Sequence, residues 1–458
     1  MNILILGAGQ TGSTVAAALA RENNDITIVD TDQQRLRELS EKFDLRVVSG
    51  HASHPRVLAR AGCEDADLLI AVTNSDEVNI VACEVARTLF RTPTRLARVR
   101  SGEYLAYPQL FADGHLAVDV FISPELLVCR YIERLVQHPG ALQVLDFADG
   151  KAQLVAMRAY PDGALVGHQL KELRAHMPVG TDARVVAIFR RGEAIPPDGD
   201  TRVEVDDEVF FLAARRGLKE MMKELRRAER PVKRVMIAGG GNIGRSLAAS
   251  LENRYNVKLI ERSATRAAAI AEELQNSIVL AGDCADEALL REENIDQVDF
   301  YCAVTNDEEA NILSAMMAKR LGARRVASLI NRPAYAELVE NGLVDIAISP
   351  QQVTIGAVLG FVRQSNLARV HSLRRGAAEA IEAIIPEDRS ASRLVNKTVG
   401  SIVLPPGAMI GGVVRKDDLI IAHHDTVIEA GDHVIVFVAD KAHLRQVQVL
   451  LRSAATAV

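Results

Sequence analysis

The sequence predicts an α/β protein with two doubly wound parallel sheets, each followed by a small α+β module. A glycine-rich segment, GAGQTG at Gly7–Gly12, recurs as GGGNIG at Gly239–Gly244. Short segments rich in Ile and Val alternate with longer stretches of helical apolar spacing, a pattern typical of βαβ units. After each such region comes a tail with strand-like alternation, which predicts the small modules.

Internal repetition predicts the domain organisation. AVTNSDEVN at Ala71–Asn79 recurs as AVTNDEEAN at Ala303–Asn311, and VDVFISP ending at Pro124 recurs as VDIAISP ending at Pro350. Ordered matches of this kind indicate two tandem copies of one unit. We predict large nucleotide-binding domains at 1–140 and 232–370 and small modules at 141–228 and 371–458.

Each large domain is expected to contain six strands, which is a full doubly wound sheet. In the first copy the apolar segments lie at Asn2–Leu6, Asp25–Asp30, Arg46–Gly50, Leu68–Thr73, Arg95–Arg100 and Val118–Ser123. The second copy repeats all six segments between Val235 and Ser349.

A helix is expected after Pro124 and another after Pro350. Their apolar faces are longer than one small domain needs, and they comprise Leu126, Leu127 and Ile132 in the first helix and Val353, Val358 and Leu359 in the second. These faces predict docking on another domain or subunit, and the alternative is burial within the same copy.

Both glycine segments occur in the context of a Rossmann dinucleotide-binding motif. Each follows a predicted strand, opens a predicted helix, and precedes an acidic residue at the end of the next strand, Asp30 or Glu261. A pyrophosphate would lie at the positive helix N-terminus, and the carboxylate would accept hydrogen bonds from an adenosine ribose. Because the carboxylate would repel a 2′-phosphate, the motif favours NAD(H) or another adenine nucleotide over NADP. The alternative is a glycine turn that binds nothing.

Polar residues also follow the fourth predicted strand of each copy. Thr73-Asn74 and Thr305-Asn306 would lie at the carboxyl edge of the sheet, where ligands of such sheets bind. Their alternative role is to cap the next helix.

Four arginines are candidates for phosphate contacts, and each also has an alternative environment. Arg98 and Arg100 fall in the fifth predicted strand, where a phosphate or a carboxylate would be their partner. Arg245 and Arg262 follow the second glycine segment and its acid, where they face either a phosphate or solvent. The second site is therefore expected to prefer a different adenine nucleotide from the first.

Composition excludes several classes of function. The net charge is −6, which argues against a general nucleic-acid binder, and aromatic residues are only 4% with no Trp, which argues against stacking platforms. The five cysteines lack a C-x-x-C spacing, so no metal site is predicted and free thiols in a reducing cytoplasm are expected. The longest uncharged apolar segment, Ile346–Val362, is too short and too polar to span a bilayer, which predicts a soluble intracellular protein.

The sequence also predicts that the protein is not an enzyme. His51 and His54 are candidate acid–base groups, but the second copy has Asp283 and Asp286 in that loop. The small modules are too short to enclose a substrate. The alternatives are an NAD-dependent oxidoreductase and a stand-alone nucleotide sensor.

The motifs together resemble the RCK (regulator of potassium conductance) domain family. The resemblance rests on GAGQTG, VVSGHASHP, AVTNDEEAN, DIAISPQQ, HSLRRGAAEAIEA and LPPG, and it covers both copies. It implies a peripheral regulatory subunit on the cytoplasmic face of the inner membrane that binds NAD(H) and ATP or ADP. The implied partners are a membrane potassium-translocating subunit of the TrkH kind and further copies of the chain in a ring, expected as a tetramer.

Motif and resemblance together place the nucleotide contacts on named residues. In the first copy they are Gly7, Ala8, Gly9, Gln10, Thr11, Gly12, Asp30, Thr73, Asn74 and Arg98. In the second copy they are Gly239, Gly240, Gly241, Asn242, Ile243, Gly244, Glu261, Thr305 and Asn306. Because the second copy has no arginine equivalent to Arg98, its phosphate contacts are expected to differ.

Overall fold

In the part of the chain that the structure describes, four sheets form the framework, two of them six-stranded and two five-stranded. The computed structural model describes the chain except for residues 22–23, 113–114, 179–182, 227–229, 333–334, 336–343, 363–366, 374–377, 388–391 and 452–458. The six-stranded sheets are parallel and the five-stranded sheets are antiparallel. This architecture confirms the predicted fold class.

The first large domain contains strands β1 to β6 in the order β3-β2-β1-β4-β5-β6. Their bounds are β1 Asn2–Leu6, β2 Asp25–Asp30, β3 Arg46–Ser49, β4 Leu68–Ala71, β5 Thr94–Arg98 and β6 Val120–Ile122. The helices are α1 Gln10–Ala20, α2 Gln33–Lys42, α3 Pro55–Arg60, α4 Asp76–Val85, α5 Gly102–Leu105 and α6 Pro124–Gln137. The central strands are apolar along nearly their whole length because helices cover both faces of the sheet.

The first small module follows, with its sheet in the order β10-β9-β11-β8-β7. Its strands are β7 Ala141–Phe147, β8 Ala152–Arg158, β9 Ala183–Arg190, β10 Glu193–Ile195 and β11 Glu208–Ala214. Its helices are α7 Leu173–His176 and α8 Leu218–Leu225.

The second copy repeats this arrangement. Its large sheet contains β12 Arg234–Ala238, β13 Asn256–Glu261, β14 Ile278–Ala281, β15 Phe300–Ala303, β16 Val326–Leu329 and β17 Ile346–Ile348. The helices are α9 Asn242–Leu251, α10 Ala264–Glu273, α11 Glu287–Glu292, α12 Glu308–Arg320 and α13 Pro350–Val362. The second module contains β18 Leu367–Leu373, β19 Ala378–Ile384, β20 Ala408–Arg415, β21 Asp418–Ile421, β22 His433–Val438 and α14 Leu444–Leu451. The exact domain boundaries stay a prediction.

Strands β3 to β6 each end one or two residues earlier than the apolar pattern predicts. β4 ends at Ala71 because the backbone N–H of Thr73 donates to the side chain of Asn79, 2.9 Å away, and not to a neighbouring strand. β5 ends at Arg98, so the expectation that Arg100 belongs to this strand is wrong. The Arg100 N–H donates to a side-chain carboxylate instead.

The long helices after β6 and β17 are exchanged between the two copies. In α6, Val128 and Ile132 lie in the core of the second large domain. In α13, Ile355 and Val358 lie in the core of the first large domain, beside Val15 of α1. Docking on another domain is therefore correct, and that domain belongs to the same chain.

The two small modules pack face to face through their sheets. Val186 and Leu212 of the first module share one core with Phe437 of the second. A β-carbon on Gly412 of β20 would approach the Leu212 side chain to 2.8 Å, so glycine allows the sheets to come close. Together with the exchanged helices, this contact joins the two copies into one pseudo-symmetric body.

Candidate nucleotide-binding sites

The first glycine segment forms a tight turn between β1 and α1. Gly7 has φ +104°, a conformation that favours glycine, and a β-carbon there would lie 3.0 Å from the backbone nitrogen of Thr73. At Gly12 a β-carbon would lie 1.8 Å from the carbonyl oxygen of Gly7. These two glycines are therefore required by the packing of the turn against the helix and β4.

Gly9 differs from Gly7 and Gly12 because the space around it is open. It is the N-cap of α1, with φ −68°, and no side chain caps the helix there. A β-carbon at Gly9 would meet nothing within 4 Å. The first turn of α1 thus presents backbone N–H groups and the positive end of the helix dipole to an open space. This arrangement is suited to a phosphate group.

The remaining predicted residues of this segment lie around the same turn. Gln10 and Thr11 begin α1, and Thr11 is buried while Gln10 is exposed. Asp30 lies at the end of β2 and accepts hydrogen bonds with both carboxylate oxygens. Its Oδ2 accepts from the N–H of Ala8 at 2.5 Å, and its Oδ1 accepts from the N–H of Asp32 at 2.9 Å. The structure therefore holds the acid beside the glycine turn.

The second glycine segment has the same geometry. Gly239 has φ +111°, and a β-carbon at Gly244 would lie 1.8 Å from the Gly239 carbonyl oxygen. Gly241 is the N-cap of α9, whose first turn contains Asn242 and Ile243, and a β-carbon at Gly241 would meet nothing within 4 Å. Two open helix N-termini are thus built from one repeated motif.

The acid of the second site is more enclosed than that of the first. Glu261 is only 7% exposed, and its Oε2 accepts from the N–H of Gly240 at 3.1 Å. The Nη1 atom of Arg266 lies 3.6 Å from the same oxygen. A β-carbon at Gly240 would come within 2.5 Å of the Ile270 side chain, so the methyl group that Ala8 carries in the first site would fit here only if Ile270 moved. The two sites therefore differ in charge and in space.

The two arginines after the second glycine segment are both exposed. Arg245 pairs with Glu273 at 3.2 Å and is 44% exposed, which matches the solvent alternative. Arg262 is exposed.

Thr73 and Thr305 do not cap the helices that follow them. The N-caps are Ser75 for α4 and Asp307 for α12. Thr73 instead donates its hydroxyl to Oδ1 of Asn79 at 2.7 Å. The neighbouring residues of the two predicted pairs, Asn74 and Asn306, are exposed beside the carboxyl edge of each sheet.

Two buried asparagines organise these edges, and sequence reasoning did not identify them as part of the site. Asn79 is fully buried and donates to the carbonyl oxygen of Arg98 at 2.9 Å. Asn311 accepts from Thr305 N–H at 2.8 Å and donates to the Leu329 carbonyl oxygen at 3.3 Å. The sequence carries a signal for them, because the repeated segments AVTNSDEVN and AVTNDEEAN both end in an asparagine, Asn79 and Asn311.

Arg98 lies in a cluster of charges beside the first site. Its Nη2 donates to the carbonyl oxygen of Thr73 at 2.6 Å, and its Nε is buried with no hydrogen-bond partner among the described residues. Burial, and then the charge of Arg100, lower the pKa of Arg98. Burial raises the pKa of Glu125, and the charges of Glu125 and Asp76 act on Arg98 in the opposite direction. The carboxylates of Glu125 and Asp76 thus partly compensate the positive charge of Arg98. Its Nε remains available to donate to a further acceptor.

The histidine and cysteine side chains, which have catalytic potential, are either exposed in a loop or buried. His51 and His54 are exposed loop residues, and Nδ1 of His51 lies 3.1 Å from the Ser53 hydroxyl. All five cysteines are free and buried. Burial raises the pKa of the Cys129 thiol to about 12. Within the described ranges no metal-binding cluster of His, Cys, Asp or Glu forms, and no helix there is long and apolar enough to cross a membrane.

Comparison with known proteins identifies the family. Residues 3–124 and 235–350 match the model of the TrkA-N domain, and residues 154–226 and 387–451 match that of the TrkA-C domain. The chain is 57% identical over 453 residues to the Trk system potassium uptake protein TrkA of Vibrio alginolyticus, covering 99% of both chains. The chain belongs to the TrkA family.

Solved structures agree with the fold of this TrkA-family chain. The crystal structure of the GsuK RCK domain matches with a TM-score of 0.60 and 18% identity, covering 98% of this chain and 94% of that one. A structure of the GsuK channel bound to NAD matches with a TM-score of 0.61 and 18% identity, covering 98% of this chain and 78% of that one. These likenesses confirm that the TrkA-family chain has the RCK fold.

Proposed function

We propose that this chain is the nucleotide-binding regulatory subunit of a Trk potassium uptake system. The observation that carries the proposal is the open N-terminus of α1 at Gly9, with the Asp30 carboxylate held beside it. The same arrangement recurs at Gly241 and Glu261 in a chain of the TrkA family. A relative that is 57% identical over nearly the full length is named as a potassium uptake protein.

The first site is assigned to NAD(H). Asp30 is part-exposed, so its carboxylate can exchange the hydrogen bond from Ala8 for one from a ribose hydroxyl. A 2′-phosphate at the same place would be repelled. The pyrophosphate would accept hydrogen bonds from the first turn of α1, as described for this motif. The GsuK channel, which shares the fold, was solved bound to NAD.

The second site is assigned to an adenine nucleotide such as ATP or ADP. Its acid, Glu261, is buried, and Arg266 lies close enough to reduce the negative charge that a phosphate would meet. A phosphate-rich ligand is therefore repelled less here than at Asp30. Two unlike sites in one chain allow the protein to respond to a ratio of nucleotides.

The exchanged helices provide a physical route for the signal. The side-chain amide of Gln351 in α13 donates to the Thr14 hydroxyl of α1 at 3.1 Å. In the other copy, Cys129 of α6 lies 3.4 Å from the carbonyl oxygen of Ile243 in α9. Each helix that would bind a phosphate thus contacts a long helix from the opposite copy. A ligand that favours one arrangement of these helices shifts the equilibrium toward it.

The partners belong to the same proposal. The proposed partner is a membrane potassium-translocating subunit of the TrkH kind, with this chain on the cytoplasmic face of the membrane. Further copies would complete a ring, which we assign as a tetramer. The protein would act by gating and not by turnover.

The decisive experiment combines binding with transport. NADH, NAD, NADPH, ATP and ADP are titrated onto the purified chain by calorimetry, and potassium flux is measured in vesicles that contain the co-purified membrane subunit. We expect NADH and ATP to bind at separate sites and to change the flux. Nucleotide binding without any effect on potassium flux would contradict the proposal and favour a stand-alone nucleotide sensor. Sustained NADH oxidation that is lost in the His51→Ala protein would identify an oxidoreductase instead.

A further inference from the structure

A basic cavity lies between the first small module and the second large domain. Its volume is ≈ 430 Å³, which falls in the range of small-molecule sites. It is lined by Gly140, Leu142, Arg158, Tyr160, Arg226 and Arg230 from one side and by Lys319, Arg324, Arg325, Val344 and Asp345 from the other. The wall from the large domain is the amino end of β16 and β17, so the cavity lies at the opposite edge of the sheet from Gly241.

The charges that line this cavity are strongly unbalanced. Six cationic side chains line the cavity, and among the described residues Asp345 supplies its only carboxylate. That carboxylate is already engaged, because it accepts from Lys319 Nζ at 2.8 Å and from the N–H of Val326 at 2.7 Å. Bringing so many positive charges together is unfavourable unless an anion compensates them.

Arg324 shows that hydrogen-bonding capacity remains in the wall. Its Nη1 lies 3.4 Å from Asp299, but its Nε and Nη2 are buried and have no hydrogen-bond partner among the described residues. Unsatisfied buried guanidinium nitrogens are expensive, since the group has lost its water without gaining an acceptor.

The shape of the wall also suits a rigid anion. Arg325 is buried and is held in place by donation to the carbonyl oxygen of Ala141. Arg226 stacks over the ring of Tyr160 at 4.0 Å from its centroid, which fixes the plane of that guanidinium. Guanidinium groups held in fixed planes match the oxygen geometry of phosphate.

We infer that this cavity is a binding site for a small phosphate-bearing anion with at least two negative charges. Such a ligand would place its oxygens among the arginines of both walls. It would thereby join the first small module to the second large domain, a joint that neither nucleotide site touches. Binding would stabilise the joined arrangement, because the ligand contacts it only when both walls are in place.

The test uses inorganic triphosphate as the probe, titrated by calorimetry onto the full-length chain. The variant Arg158→Gln/Arg230→Gln removes two cations that lie at the cavity and make no ion pair within the described part of the chain. Its matched control is Arg130→Gln/Arg254→Gln, which removes two exposed arginines elsewhere. We expect triphosphate to bind about tenfold more weakly to the cavity variant than to the control. Binding should also weaken as salt increases.

A second variant separates this cavity from the glycine turns. Gly9→Asp/Gly241→Asp places a negative charge at both open helix N-termini, where the structure has space for the side chains. Triphosphate binding that persists in this protein supports the cavity site, whatever happens to NADH. Binding that is lost here but kept in the cavity variant would overturn the inference. No binding of triphosphate to the unmodified chain at millimolar concentration would also overturn it.

Discussion

Gly12 packs so closely on the carbonyl oxygen of Gly7 that a β-carbon at Gly12 would lie 1.8 Å from that oxygen. Three residues before Gly12, at the N-cap of the same helix, the conditions are reversed, since a β-carbon on Gly9 would meet nothing within 4 Å. The packing of the protein thus requires glycine at position 12, whereas the space beside Gly9 is open to a ligand. The first prediction uses this contrast.

Gly9→Ala is expected to weaken NADH binding at least about tenfold while costing less than about 1 kcal/mol of unfolding free energy. The added methyl group meets no protein atom but occupies the approach to the helix N-terminus. Gly12→Ala should instead destabilise the protein by about 3 kcal/mol, because the backbone must move. Calorimetry with NADH and urea unfolding measure both effects. Equal NADH affinity in a folded Gly9→Ala protein would contradict the site.

Asp30→Ala is expected to reduce the preference for NADH over NADPH. The change removes the ribose acceptor and the charge that would repel a 2′-phosphate. Because a charged hydrogen bond is lost, NADH binding should weaken by about 1.5–3 kcal/mol. The measurement is the ratio of the two dissociation constants, with the exposed Asp44→Ala as control. If the ratio is unchanged, the Asp30 carboxylate does not face the ribose.

Asn79→Ala is expected to destabilise the first large domain by about 1–3 kcal/mol, since the Thr73 N–H loses its acceptor in a part-buried position. Asn79→Asp keeps an acceptor oxygen but loses the donor to the Arg98 carbonyl, so it should also destabilise. Asn311→Ala provides the matched change in the second copy. Thermal unfolding of the three variants measures the effect, and a melting temperature equal to that of the unmodified chain would refute the role of the asparagine.

Val358→Asp tests the exchange of helices. Val358 is fully buried in the core of the first large domain, so a charge there has no compensation and should cost about 3–5 kcal/mol. Val449→Asp is the control, because Val449 is 53% exposed and the change should have little effect on unfolding. Similar unfolding curves for the two variants would mean that α13 is not docked in this core.

The cysteines allow a test of burial without any substitution. The pKa of the Cys63 thiol is raised by burial, as is that of Cys284, so little thiolate exists at neutral pH. We expect Ellman's reagent to label none of the five thiols in the native protein and all of them in urea. Rapid labelling of a native thiol would show that one of these cores opens readily.

Features that depend on local chain geometry could be predicted from the sequence. The G-x-G-x-x-G spacing predicts the turn, the start of α1 and the open position at Gly9, since these follow from backbone conformation within a few residues. The acid at the end of the next strand is also fixed, because adjacent parallel strands bring Asp30 to the same edge as Gly7. Repetition then predicts the second site, including Glu261.

The surfaces that meet between domains could not be predicted from the sequence. The apolar face of α6 predicts that it is buried, but hydrophobic contact has no direction, and the same residues would satisfy either copy. The structure places Val128 in the second large domain and Val358 in the first. Likewise, Arg158 and Arg324 are far apart in the sequence and meet at one cavity only because the small module is docked there. Such contacts depend on how whole domains pack, which residue patterns within one domain do not encode.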